Sequence, residues 1–136
     1  MAANLNLLAN LKIIFMNLNS LSVGNIVSLA YNLEVITTVI AIEYGGAVQV
    51  ACNNYADDIR DITGIPLNEK ILKRFHIPIK IINDKAAVYI SCRDDEVFVS
   101  PAARNNLIQI AYIHQLQNIV SFFTGTDIID YKKFRI

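Results

Sequence analysis

The sequence predicts an α+β fold, in which a helical N-terminal portion packs with a small antiparallel sheet and one long C-terminal helix. Three observations carry that expectation. Ile110, Ile113, Leu116, Val120 and Phe123 recur every three or four residues, which places them on one face of a helix. Residues 87–92 (AVYISC) and 96–100 (EVFVS) are β-rich runs separated by the charged Arg93, Asp94 and Asp95, the pattern of a hairpin or meander. Between residues 25 and 62 the apolar side chains also fall at helical intervals.

Taken in order, residues 6–18 are an apolar segment with little turn chemistry, either a helix or an added strand. Asn19, Ser20, Ser22 and Gly24 then punctuate the chain. Ile26, Ala30, Leu33, Ile36 or Thr37, and Ile40 keep a helical period, so residues 25–44 are expected to be helical. Gly45 and Gly46 break or relax that helix, and Val48, Cys52, Tyr55 or Ala56, and Ile59 continue the spacing through residues 47–62. Thr63, Gly64 and Pro66 end this portion.

Asn68 is suited to cap a short helix over residues 69–75. Residues 77–82 (IPIKII) read as a strand, with Pro78 near its start as a sheet edge tolerates. Asn83 and Asp84 turn the chain into the hairpin, where Val88 and Ile90 share one face, Tyr89 and Ser91 the other, and Val97 lies with Val99. The hairpin feeds directly into the long helix, expected over residues 101–125. Ser100 would be its N-cap, Pro101 would lie in its first turn, and Gly125 would take the left-handed position past its end. A single domain over residues 1–136 is expected, with residues 1–64 forming the apolar helical portion and 77–136 the strand, hairpin and helix portion.

Charge narrows the function classes. With 12 basic and 12 acidic residues the net charge is zero, so no general electrostatic grip on nucleic acid or an anionic membrane is expected. The distribution is uneven: up to residue 56 the charged side chains are Lys12, Glu34 and Glu43 alone. An apolar surface of that kind is expected to meet protein partners, copies of the chain or other subunits. Membrane insertion is not expected, because the longest apolar run, residues 35–42, falls far short of the roughly 20 residues that span a bilayer. The start of the chain has no basic region ahead of its apolar residues, so no signal peptide is expected. Cys52 and Cys92 lack metal-type spacing and are expected to be buried free thiols, although the sequence leaves their pairing open.

Candidate chemistry centres on the helix. His114, Asn118 and Ser121 lie at i, i+4 and i+7 and form a polar strip on a different face from the apolar stripe. Elsewhere there is no Gly-rich phosphate loop, nucleophile elbow or basic cluster interleaved with aromatics. Asp57, Asp58 and Asp61, with Arg60 among them, are expected to be a solvated face and not a cation site. Lys70, Lys73 and Arg74 make a small basic helix face.

A strand pair followed by a helix carrying His114-Gln-Leu-Gln-Asn118, then Phe123-Thr-Gly-Thr-Asp127 and Asp130-Tyr-Lys-Lys-Phe134, resembles the small zincin-type metallopeptidases of phages and mobile elements over about residues 77–136. In that family the helix carries H-E-x-x-H, whose histidines share one zinc ion while the glutamate activates the bound water. The resemblance sets His114 at the first histidine, Gln115 at the general base, Asn118 at the second histidine, Asp130 near the third ligand, and Lys133-Phe134 at the closing aromatic turn. Glutamine cannot shuttle a proton at neutral pH, and an asparagine amide is a poor zinc ligand beside imidazole. His76 has no partner at ligand spacing.

The resemblance therefore implies a degenerate site with remnant positions His114, Asn118 and Asp130, no catalytic residue, no metal and no cofactor. The expected function is a non-catalytic structural or interaction protein, a component of a phage virion or other large assembly located in the virion or host cytoplasm. The alternatives are a metal-dependent hydrolase with an atypical site built from His114, Asp130 and His76, or a small regulatory binding module.

Overall fold

The computed structural model describes residues 21–43, 45–52, 56–101 and 107–130. The segment 6–18 and the tail from Tyr131 with its Lys133-Phe134 pair lie outside the described residues. The chain divides into two compact units at the Ile65/Pro66 junction. Each is built around an antiparallel sheet, and the α+β expectation gives way to a mostly β architecture.

In the first unit, β1 (Ile26–Leu29), β2 (Asn32–Ile42), β3 (Ala47–Val50), β4 (Ala56–Asp58) and β5 (Ile62–Thr63) form a five-stranded sheet in the order β4-β3-β2-β1-β5. The helices expected over residues 25–44 and 47–62 are therefore corrected to strands, apart from one 3-10 turn at Ile59–Asp61. The physical reason lies in residues 35–40, Val-Ile-Thr-Thr-Val-Ile, six β-branched side chains in succession. Their restricted χ1 is unfavourable against a preceding helical turn and suits a pleated surface. Helical spacing was also a coincidence of two faces: Val27, Leu29, Val39, Val48, Val50 and Ile62, with Leu21, pack one core, while Ile26 is buried on the opposite side of β1. Each such side chain contributes about 1.5–3 kcal/mol relative to exposure. Gly45 and Gly46, at φ 86° and 93°, turn β2 into β3.

The β1–β2 ladder is irregular. Register jumps from Ser28↔Ile36 to Leu29↔Asn32, so residues 33–35 loop out of the pairing. The Ser28 hydroxyl sits 2.8 Å and 2.7 Å from the carbonyl oxygens of Leu33 and Val35, which anchors the bulge, and Leu33 is left exposed.

The second unit contains α1 (Glu69–Arg74), a four-stranded sheet of β6 (Lys80–Ile82), β7 (Ala87–Arg93), β8 (Glu96–Pro101) and β9 (Ile108–Ile110) in that order, and α2 (Ile113–Thr124). The short helix forms as its cap signal implies: Asn68 Oδ1 accepts from Ile71 N–H at 2.9 Å. Its strand neighbour is shorter than residues 77–82, but β6 does lie at the sheet edge. The β7–β8 hairpin turns through Asp94 and Asp95, both at positive φ, which matches the twist of the flanking strands. Val88, Ile90, Val97 and Val99 are buried, whereas Tyr89 is exposed on the other face.

The long helix is shorter than its apolar stripe suggests. Ser100 is not an N-cap and Pro101 is not in a first turn, because both belong to β8 and pair with Tyr89 and Val88. Ile108 and Ile110 pair with Val99 and Val97 in the edge strand β9, so β8 does not run directly into the helix. The backbone at residues 111–112 is committed elsewhere, since Ala111 C=O accepts from Leu67 N–H at 2.9 Å and Tyr112 bridges Pro66. Helical geometry can begin only after that pairing, at Ile113. From there the stripe behaves as expected: Ile113, Leu116 and Val120 are buried, and Gly125, at φ 72°, closes the helix with its N–H on Ser121 C=O.

Candidate functional site

The start of α2 holds the residues on which the sequence focuses attention. Ile113 opens the helix, so His114, Gln115 and Asn118 fall in its first two turns. Gln115 is the best defined. Its Oε1 accepts the backbone N–H groups of Ala111 and Tyr112, each at 3.2 Å, and its own N–H donates to Tyr112 C=O at 3.1 Å. The Tyr112 N–H, at the N-cap, is one of the donors that a helix start leaves without an intrahelical partner, and Ala111 lies one residue outside the helix. The side chain at the general-base position of the zincin comparison is thus turned back onto the helix terminus and serves as a cap.

His114, the first residue of the polar strip, is buried. It is 2% exposed and its ring stacks on Tyr112, with centroids 5.7 Å apart and planes 19° from parallel. The phenol of Tyr112 is held above its ordinary pKa by burial. Asn118 lies one turn further, half-buried, and Ser121 is exposed, so the strip runs from interior to surface along the helix. Asp130 is exposed beyond the helix. Among the described residues, no three His, Cys, Asp or Glu side chains converge in a group that could hold a metal ion.

His76 has a backbone role. It takes φ 54° immediately past α1, where its N–H donates to Lys73 C=O at 3.1 Å and Ile77 N–H donates to Leu72 C=O at 2.9 Å. That pair of bonds is the Schellman closure of a helix, with His76 in the left-handed position usually given to glycine.

Of the acidic residues near position 58, Asp58 is engaged in local structure. Asp58 caps the 3-10 turn through Arg60 N–H at 2.9 Å and pairs with the Arg60 guanidinium at 3.1 Å and 3.2 Å. The guanidinium hydrogen bond holds the Asp58 carboxyl below its usual range. Lys73 reaches Glu69 at 3.3 Å along an exposed helix turn, and Arg74 lies over the Phe75 ring at 5.8 Å. These surface pairs contribute little to stability.

Both cysteines are free, but neither is fully buried: Cys52 is exposed and Cys92 half-buried. Burial raises the Cys92 thiol pKa, and the nearby Glu69 and Asp95 carboxylates add to that rise. Asp95 Oδ1 also accepts Glu69 N–H at 3.2 Å, tying the hairpin turn to the start of α1.

Gln117 and Thr124, which no sequence motif marks, organise the C-terminal end together with the turn residue Asn83. Gln117 is buried and directs its amide to both Asp127 carboxylate oxygens at 3.4 Å, while Asp127 also accepts Ile129 N–H at 3.0 Å. Asn83 Nδ2 donates to Thr124 C=O at 2.8 Å, joining the β6–β7 turn to the last turn of α2. Thr124 is itself buried, its hydroxyl donating to Val120 C=O at 2.7 Å. The Asn-Asp turn signal at residues 83 and 84 was legible, but its long-range partner was not. Among the described residues no helix is long and apolar enough to cross a membrane.

The outer face of the four-stranded sheet is the other candidate surface. Register puts Lys80, Ile82, Ala87, Tyr89, Ser91, Phe98, Ser100 and Gln109 on the side opposite Val88, Ile90, Val97 and Val99. Ile82, Tyr89 and Phe98 are diagonal neighbours across β6, β7 and β8, with Ile82 58% exposed, Tyr89 42% exposed and Phe98 half-buried. Compared with protein-family models, with curated proteins and with solved structures, the chain finds no match.

Proposed function

We propose that the chain is a non-catalytic interaction protein that assembles with copies of itself or with other subunits of a larger structure. The observation that carries this reading is the apolar diagonal of exposed Ile82 and Tyr89 and half-buried Phe98 on one sheet face, since apolar side chains left together at a surface favour protein contact. The capping role of Gln115 supports the non-catalytic part, since its Oε1 is engaged by two backbone donors and an amide cannot accept and pass on a proton at neutral pH. A phage virion or comparable assembly as the setting, and a degenerate zincin-like ancestry for residues 77–136, belong to the same proposal and rest on the motif resemblance alone.

The sparsely charged N-terminal portion offers a second, smaller set of apolar side chains. Among its described residues Leu21, Val27, Leu29, Val39, Val48, Val50 and Ile62 pack internally in the five-stranded sheet, and Val23, Tyr31, Leu33 and Ile40 are the large apolar side chains that stay exposed.

Sedimentation velocity of the full chain from about 1 to 200 µM tests the proposal, with Tyr89→Lys as the surface variant. A weight-average mass that rises with concentration, and rises less in a folded Tyr89→Lys protein, is the expected result. A strict monomer across the range would overturn assembly with copies of itself. Elemental analysis tests the other half: one tightly held zinc per chain, lost on His114→Ala, would replace it with a metal-dependent hydrolase.

A further inference from the structure

We draw no further inference here: the strongest candidate, the half-buried Cys92 thiol beside Glu69 and Asp95 where the β7–β8 turn meets the first turn of α1, is a lone cysteine at a short helix with no second observation that points to a ligand.

Discussion

Replacing Gln115 distinguishes a capping residue from an idle remnant of a catalytic base. In Gln115→Ala the N–H groups of Ala111 and Tyr112 lose the shared acceptor that each holds at 3.2 Å. A neutral hydrogen bond contributes about 0.5–1.5 kcal/mol net. Two bonds sharing one oxygen on a half-buried side chain, partly replaceable by water, should together be worth about 1–1.5 kcal/mol, within the range of helix-cap deletions. Gln115→Glu keeps the acceptor and adds a negative charge at the positive end of α2, a gain of about 0.5 kcal/mol at neutral pH.

The sign of the pH dependence follows from the same geometry. Two N–H donors and the helix terminus favour the ionised carboxyl, so folding lowers its pKa below the unfolded value of about 4.3. The extra stability of Gln115→Glu is therefore fully present above that value and is lost as pH falls through the lower folded pKa. Urea denaturation of the wild type, Gln115→Ala and Gln115→Glu at pH 7 and at pH 3 measures all of this. A Gln115→Ala protein within about 0.3 kcal/mol of wild type would refute the capping argument. So would a Gln115→Glu protein less stable than wild type at pH 7.

Three further outcomes are expected. His76→Gly should stabilise the protein by about 0.5–1 kcal/mol, because relief of left-handed strain exceeds the added unfolded-state entropy, and His76→Ala should not; paired denaturation curves decide it. Gly125→Ala should cost about 1–2 kcal/mol, since φ is 72° and the new Cβ would come within 3.0 Å of Lys85 Nζ; a neutral result in thermal melts would show that the helix end is not fixed as described. Alkylation by iodoacetamide at pH 7.5, followed by peptide mass spectrometry, should modify exposed Cys52 ahead of Cys92, whose raised pKa and partial burial lower its available thiolate; the reverse order would contradict the placement of the two thiols.

What the sequence determined by itself was local. Asn68 capped α1, the Arg93-Asp-Asp-Glu96 turn made its hairpin, Gly125 ended α2, and Ile113, Leu116 and Val120 went to the interior, because each signal acts within a few residues of the chain. The six β-branched residues from Val35 to Ile40 were equally visible and outweighed the helical spacing of Ile26, Ala30, Leu33 and Ile40. Tertiary pairing decided the rest. The start of α2 moved from Pro101 to Ile113 because β8 needed Ile108 and Ile110 as an edge partner and Leu67 took the Ala111 carbonyl. The roles of Gln115, His76 and Gln117 followed from where those backbone and side-chain partners lay. A one-dimensional pattern gives the period of a segment, but its partners in space decide which polar groups are left over: Gln115 accepts two backbone N–H groups, Gln117 donates to Asp127, and His76 serves through its backbone alone.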